Sequence, residues 1–146
     1  CERIYRDARI TSIYEGTTQL QVVAAIRHVT TGTYLNLIRG YEAQEVKPEL
    51  QWIKDNLIAM TASYEKAVAT VTEVKDQAYG DFMARRLVEM AGCIIMSYLL
   101  LSDAQRNDSF VRSAEVYNKL AQAEVAKHAD FIASFTPEQI EMYKAE

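Results

Sequence analysis

Residues 50–74 read LQWIKDNLIAMTASYEKAVATVTEV, and this stretch decides the fold. Its apolar side chains recur at intervals of three and four residues, at Leu50, Ile53, Leu57, Met60, Tyr64, Ala67, Val71 and Val74. An α-helix has about 3.6 residues per turn, so this spacing places all of them on one helical face. The pattern predicts a long amphipathic helix whose apolar face must be covered by neighbouring helices.

Two later segments repeat the same spacing and supply such neighbours. The first begins near Gly80 and Asp81 and continues from Met83 to Leu101, and the second spans residues 110–135. Long helices that are joined by short connections alternate in direction. We therefore expect an all-α fold in which residues 46–146 form an up-down antiparallel helical bundle.

Both ends of this predicted bundle carry boundary signals. Pro48 disfavours helical geometry in the residue before it and suits the first turn of a helix, so the bundle should begin there. Near the other end, Thr136 matches a helix N-cap, Pro137 the first helical position and Gln139 the third position of a capping box. These three residues predict a last short helix.

The elements before Pro48 are shorter. Thr17 and Thr18 compete as the cap of a helix, and Gly32 ends that helix, because glycine suits the position after a helical C-terminus. The predicted elements in order are a helix end at 1–9, a turn at 10–16, a helix at 18–32 and a short helix at 33–44.

Composition supports an all-helical chain and excludes some partners. Only 5 of the 146 residues are Gly and 2 are Pro, while good helix formers fill the periodic stretches. The formal net charge is -4, and no block of Lys or Arg provides the basic face that a phosphate backbone requires. We expect no nucleic-acid partner.

The cysteines and the apolar runs indicate a compartment. Cys1 and Cys93 are far apart in sequence and have no CxxC partner, so they predict free thiols and neither a disulfide framework nor a metal site. No secretory signal is visible at the N-terminus. The longest apolar run, Ala91–Leu101, is about half of the ~20 residues that a membrane span needs. We expect a cytoplasmic protein with no membrane contact.

One segment differs from ordinary bundle sequence. Residues 5–21 read YRDARITSIYEGTTQLQ, which resembles the C-terminal signature of the acyl-CoA dehydrogenase family, with RDARI before IYEGT and then TQ. The resemblance implies that residues 1–45 are the end of that family's C-terminal catalytic helical domain. Residues 46–146 then match the C-terminal helical extension of its longer members. The chain begins inside helix-like sequence, so we expect it to be a piece of a longer protein.

The resemblance also implies roles for individual residues. Glu15 takes the place of the family's catalytic base, which removes the α-proton of an acyl-CoA thioester in fatty acid metabolism. Tyr14 and Gly16 match positions at the thioester end of the substrate site, and Thr17 and Gln19 match positions that contact FAD. The implied product is the trans-2-enoyl-CoA. The implied partners are an electron-transfer flavoprotein and further copies of the chain in a homo-oligomer.

Elementary chemistry is compatible with a base at Glu15. A glutamate has an ordinary pKa of about 4.3, and only burial under bound ligands raises the pKa toward the working pH. Gly16 leaves room for close approach of a ligand, and the free amides of the following helix suit an anionic or hydrogen-bonding group. That helix end lowers the pKa of Glu15, so desolvation must be the larger effect.

Most of an FAD site is missing from this chain, so we expect the chain alone to be inactive and without flavin. An alternative from another functional class stays open. In it the chain is a helical assembly or interaction module with no activity of its own.

Several other residues invite functional readings that we consider weaker. Arg6, Asp7 and Arg9 are expected to form a surface ion-pair cluster. Glu124 and His128 stand one helical turn apart, but no second such pair completes a metal site. We expect no metal.

The remaining candidates are structural in this interpretation. His28 should be partly buried and hydrogen bonded. Four methionines at helical spacing should fill the core, namely Met60, Met83, Met90 and Met96.

Overall fold

A computed structural model of the chain describes residues 2–9 and 18–144, with the side chains of residues 9, 18–20 and 143–144 left out. The described residues form helices joined by short turns, as the sequence predicts. The helices are α1 (Glu2–Arg9), α2 (Thr18–Thr30), α3 (Thr33–Glu42), α4 (Gln51–Val74), α5 (Gln77–Arg106), α6 (Val111–Ser134) and α7 (Pro137–Lys144). Within these ranges the all-α prediction is confirmed.

Helix α4 provides one side of the core. The predicted apolar row from Leu50 to Val71 is buried, and Val74 at its end is half-buried against the same core. Burying each large side chain of this kind contributes about 1.5–3 kcal/mol, which explains why the spacing determines how the helix is oriented. The helix starts after a short 3₁₀ turn at Pro48–Leu50, so Pro48 marks the boundary that its chemistry predicts.

Helix α5 is the central helix and packs against α2, α3, α4 and α6. It starts at Gln77, three residues before the predicted position, because the carboxylate of Asp76 caps it. The Asp76 side chain accepts a hydrogen bond of 2.8 Å from the backbone N–H of Tyr79. Such caps contribute about 0.5–2 kcal/mol.

Helices α4, α5 and α6 alternate in direction, which confirms the up-down bundle. Close to one end of the bundle, the backbone N–H of Lys47, before α4, donates a hydrogen bond of 3.2 Å to the side chain of Gln105 at the end of α5. Close to the other end, the rings of Phe82 on α5 and Phe131 on α6 have centroids 6.3 Å apart. Asn56 on α4 also donates to the Asn118 side chain on α6 over 3.1 Å.

Helices α2 and α3 form a fourth, broken member of the bundle, a placement that the sequence did not predict. The break is at Gly32, whose φ of 74° lies in the left-handed region that glycine adopts without steric cost. Val29 and Ile38 on either side of it belong to the same buried core as α4–α6. The division into domains at residues 45 and 46 stays a prediction, and this shared core crosses it.

The last helix begins where the sequence predicts, and the Gln139 half of the predicted capping box is present. The Gln139 side chain accepts a hydrogen bond of 2.7 Å from the backbone N–H of Thr136, and Pro137 occupies the first helical position. This bond gives a partner to a backbone amide at the start of the helix, which the helix itself leaves without one.

The structure corrects one prediction about the core. Met60, Met83 and Met90 are buried, but Met96 is 45% exposed and therefore does not fill the core. Met96 lies on the outer face of α5, because that helix is apolar around most of its circumference between Glu89 and Asp103. Spacing alone does not separate an inner from an outer apolar face of such a helix.

The apolar character of α5 also raises the question of a membrane. Among the described helices, α5 is the one long and apolar enough to cross a bilayer, and 44% of its most apolar window is buried inside the protein. Buried core helices satisfy the same criterion of length and composition. The extensive packing of α5 against four other helices is that of a core helix.

Candidate functional site

The predicted catalytic segment lies at the edge of what the structure describes. Tyr14, Glu15, Gly16 and Thr17 fall outside the described residues, so their roles stay predictions. Gln19 lies in the first turn of α2, and only its backbone is described. This helix start presents backbone amides that have no partner within the helix, which suits a polar or anionic group of a bound ligand.

A cavity opens where the C-terminal half of α2 meets the end of α4 and the start of α5. Its volume is about 430 Å³, within the range of about 300–1,000 Å³ that ligand sites occupy. The apolar side chains that line it are Ile26, Val29, Val68, Val71 and Leu87. Its inner wall is therefore part of the protein core, because Val29, Val71 and Leu87 are among the buried residues.

Charged side chains surround the mouth of this cavity. Asp76 caps α5, and the Asp81 carboxylate accepts a hydrogen bond of 2.8 Å from the Gln77 side chain. Both carboxylates thus have partners. Arg27 and Lys75 also line the cavity, and neither side chain forms an ion pair within residues 2–9 and 18–144. Among the described residues, these two cations at the mouth have no carboxylate partner.

A second polar group lies on the contact between α5 and α6. The Nε2 atom of His128 is 2.9 Å from a carboxylate oxygen of Glu89 and 3.9 Å from one of Glu124. Burial lowers the pKa of His128 and outweighs the opposing attraction of Glu89. Glu124 pairs with Lys127, whose hydrogen bond lowers the pKa of that carboxyl group. His128 is consequently a largely neutral imidazole that packs between the helices.

These residues do not form a metal centre. Among the described residues, no group of three or more His, Cys, Asp or Glu side chains is arranged to bind a metal ion. The bonds of Glu124 and His128 go to Lys127 and Glu89 instead.

Cys93 and the buried tyrosines offer little chemistry of their own. Burial raises the pKa of the half-buried Cys93 thiol, and a thiol with a raised pKa is a weak nucleophile at neutral pH. Burial also raises the pKa of Tyr98 to about 12, and raises the pKa of Tyr64 further. These hydroxyl groups are therefore neutral core groups and not acids or bases.

Two weaker predictions can be compared with the structure. Arg6 makes an ion pair at 3.9 Å with Glu2, and both side chains are exposed, so the pair lies on the surface but its partner is not Asp7. The Arg9 side chain lies outside the described residues, so its part in the predicted cluster stays a prediction. His28 is half-buried as predicted, with its ring centroid 5.6 Å from that of Tyr34. The predicted hydrogen bond of its ring is not seen among the described residues and stays a prediction.

Sequence reasoning missed the cavity. Its signal in the sequence is weak, because the lining residues come from three helices and Arg27 and Lys75 look like ordinary surface charges. Gly80 is the one local clue: glycine in a helix interior costs about 0.5–1 kcal/mol relative to alanine. A Cβ atom at Gly80 would meet no atom beyond its own turn of helix within 4 Å, so the missing Cβ enlarges the open space.

A separate, exposed apolar face lies on α5 and α6. Met96 and Leu99 on α5, and Val116 and Leu120 on α6, are exposed by 41–63%. A groove of about 450 Å³ runs beside Val116 and Leu120 and is bordered by Arg112. Exposed apolar surface that forms a groove, as Val116 and Leu120 do, is typical of contact sites between proteins.

Comparison with known proteins identifies the family. The family described as "Acyl-CoA dehydrogenase C terminal" matches residues 30–140. A solved structure of an acyl-CoA dehydrogenase family protein from Porphyromonas gingivalis is similar, with 50% sequence identity and a TM-score of 0.74. That match covers 78% of this chain and 99% of the other. A search of curated proteins returns no significant match. The chain therefore belongs to the acyl-CoA dehydrogenase family and contains that family's C-terminal helical region.

Proposed function

We propose that this chain is part of an enzyme that oxidises an acyl-CoA to the trans-2-enoyl-CoA in fatty acid metabolism. The observation that carries the proposal is the segment YRDARITSIYEGTTQLQ directly before and into α2, in a chain of this family. In the proposed reaction the Glu15 carboxylate accepts the α-proton of the thioester. FAD, when bound, supplies the acceptor for the hydride that leaves the β-carbon, so that a carbon–carbon double bond forms.

The residues around Glu15 have supporting parts in this proposal. Tyr14 and Gly16 border the thioester end of the substrate, and Thr17 and Gln19 bind FAD. The start of α2 at Thr18 supports the last assignment, because the first helical turn presents free amides beside both residues. We place the enzyme in the cytoplasm as a homo-oligomer that passes its electrons to an electron-transfer flavoprotein.

Glu15→Gln in the full-length enzyme tests the proposed base. The amide preserves the shape of the side chain but accepts no proton, so flavin content should be unchanged while turnover falls by about two to four orders of magnitude. The rate of flavin bleaching by acyl-CoA in a stopped-flow experiment measures this loss. Glu45→Gln, at an exposed loop position, is the matched control. Rapid bleaching in the Glu15 variant would exclude Glu15 as the base.

The chain alone should be colourless and inactive, since Thr17 and Gln19 form only a small part of an FAD site. Binding free energy from so few contacts does not offset the cost of association. The test is an absorbance spectrum of the purified chain after incubation with excess FAD and gel filtration. Stoichiometric flavin absorbance would contradict the expectation.

A second function, assembly, is favoured by the exposed apolar face of α5 and α6. In this alternative the chain has no activity of its own, and its helices form contacts between subunits. Val116→Glu should then shift the full-length protein toward smaller species in light scattering, because an interfacial charge loses its water. Gln122→Glu introduces the same charge on another, exposed face of α6 and should have no effect. Identical masses for both variants would exclude this face as a subunit contact.

A further inference from the structure

We propose that the cavity between α2, α4 and α5 is a binding site for an apolar molecule that carries one anionic group, such as an alkyl carboxylate. The proposal rests on described residues alone and does not depend on the proposed reaction. Three features of the cavity support the proposal: its apolar wall, two cations that form no ion pair with another described residue, and the space beside Gly80.

The wall determines the apolar part of the ligand. Five aliphatic side chains line the cavity, and Val29, Val71 and Leu87 among them are at most 8% exposed. Transfer of an alkyl chain from water onto such a wall contributes about 0.8 kcal/mol per methylene group. Water alone gains little there, because aliphatic side chains offer it no hydrogen bonds.

The mouth determines the charge of the ligand. Asp76 and Asp81 both accept hydrogen bonds from groups at the start of α5. Arg27 and Lys75 line the same mouth without a carboxylate partner among the described residues. An anionic group at the mouth would pair with Arg27 and Lys75. A cationic group would have to compete with the N–H groups that already donate hydrogen bonds to Asp76 and Asp81.

The geometry at Gly80 provides the sharpest test. Gly80 lies inside α5 and lines the cavity, and a Cβ atom built there meets no other atom within 4 Å. A larger side chain at this position would therefore start in open space and extend into the cavity. Gly92 in the same helix is also open, but it lies on the exposed surface outside the cavity. The two glycines form a matched pair.

The experiment is calorimetric titration of the purified chain with alkyl carboxylates from hexanoate to dodecanoate, below their micelle concentrations. One molecule should bind per chain, and affinity should rise about fourfold per methylene group until the cavity is filled. Gly80→Leu should weaken dodecanoate binding by about tenfold or more, while Gly92→Leu should change it by less than about twofold. The double variant Arg27→Gln/Lys75→Gln should weaken it about two- to fivefold.

A second cavity variant and a cationic ligand complete the experiment. Val68→Phe narrows the cavity from α4, so it gives the same answer if Gly80→Leu does not fold. Dodecylammonium should bind more weakly than dodecanoate. Equal binding by the Gly80, Val68 and Gly92 variants would overturn the proposed site. Equal binding of the ammonium and the carboxylate would overturn the assignment of an anionic ligand.

Discussion

The three long helices α4–α6 and the broken pair α2–α3 contribute to one core in different ways. Each long helix has a continuous buried row, with seven buried residues in α4 and eleven in α5. The broken pair contributes Val29 from α2 and Ile38 from α3. A long helix with a complete apolar face has one orientation that buries it. A short helix with one or two buried residues depends on its neighbours for its position.

The largest expected effects test whether both parts unfold together. Ile94 on α5 and Ile38 on α3 are each fully buried, at 0% exposure. If the core is one cooperative unit, Ile94→Ala and Ile38→Ala should each lower the free energy of unfolding by about 2–5 kcal/mol. Urea unfolding monitored by circular dichroism and by tyrosine fluorescence measures both values.

A different result for Ile38 would show that the molecule contains two folding units. If Ile38→Ala leaves the main transition unchanged and only α2 and α3 melt early, the domain boundary predicted at residues 45 and 46 is also a boundary of folding. Coincident transitions in both variants would instead extend the folding unit to include α2 and α3.

The same contrast explains how much of the fold could be predicted. The apolar row of α4 predicted its length and its buried face, and the capping residues Thr136 and Gln139 predicted where α7 begins. The packing of α2 and α3 on α5 could not be predicted, since their few apolar residues fit several neighbours. The exposure of Met96 was missed because α5 is apolar on both faces.

The break between α2 and α3 provides the next prediction. Gly32→Ala should destabilise the protein by about 1–2 kcal/mol, because alanine is strained at a φ of 74°. Gly40→Ala should stabilise it by about 0.5–1 kcal/mol, because this exposed glycine lies within α3 with open space around it. Opposite shifts in the urea midpoint are expected. A stabilising Gly32→Ala would mean that α2 and α3 join as a continuous helix.

The two candidate sites, the Glu15 segment and the cavity, also differ in how well the sequence predicts them. A contiguous motif can be recognised directly in the sequence. The motif IYEGT followed by TQ gave Tyr14, Glu15, Gly16, Thr17 and Gln19 their predicted roles. The cavity combines Arg27 on α2 with Lys75 after α4 and Gly80 on α5, residues that only folding brings together. No spacing rule along one helix relates them.

The contact between α5 and α6 should make stability depend on pH. Because burial lowers the pKa of His128, the unfolded chain binds a proton that the folded chain does not, between the folded pKa and the ordinary value of 6.5. Stability should therefore be greatest above pH 6.5 and fall as the pH drops toward the folded pKa. His128→Gln should reduce this fall, and Glu89→Gln should enlarge it by removing the attraction to the imidazolium. Urea titrations on both sides of pH 6.5 measure the slopes, and equal slopes in all three proteins would contradict the assignment to His128.

The smallest expected effect is at the contact between α3 and α4. Arg39 bridges Glu42 on its own helix and Glu65 on α4, with 2.7 Å between Nη2 of Arg39 and Oε1 of Glu65. The Arg39 side chain is 45% exposed, so water and salt screen the pairs, and Arg39→Gln should cost only about 0.2–1 kcal/mol. Lys66→Gln removes the same charge from an exposed position of α4 that makes no ion pair with another described residue, and it is the control.

Salt separates a weak ion pair from a packing role of Arg39. If the bridge acts through charge, the difference between Arg39→Gln and Lys66→Gln should vanish in about 1 M NaCl, where the Debye length is ~3 Å. A difference that persists at high salt would show that the arginine stem packs against α4 and stabilises the α3–α4 contact by burial. In that case the position of α3 depends on apolar contact at Arg39 as well as at Ile38. The broken pair would then be held by buried apolar surface, as the long helices are, despite its few buried residues.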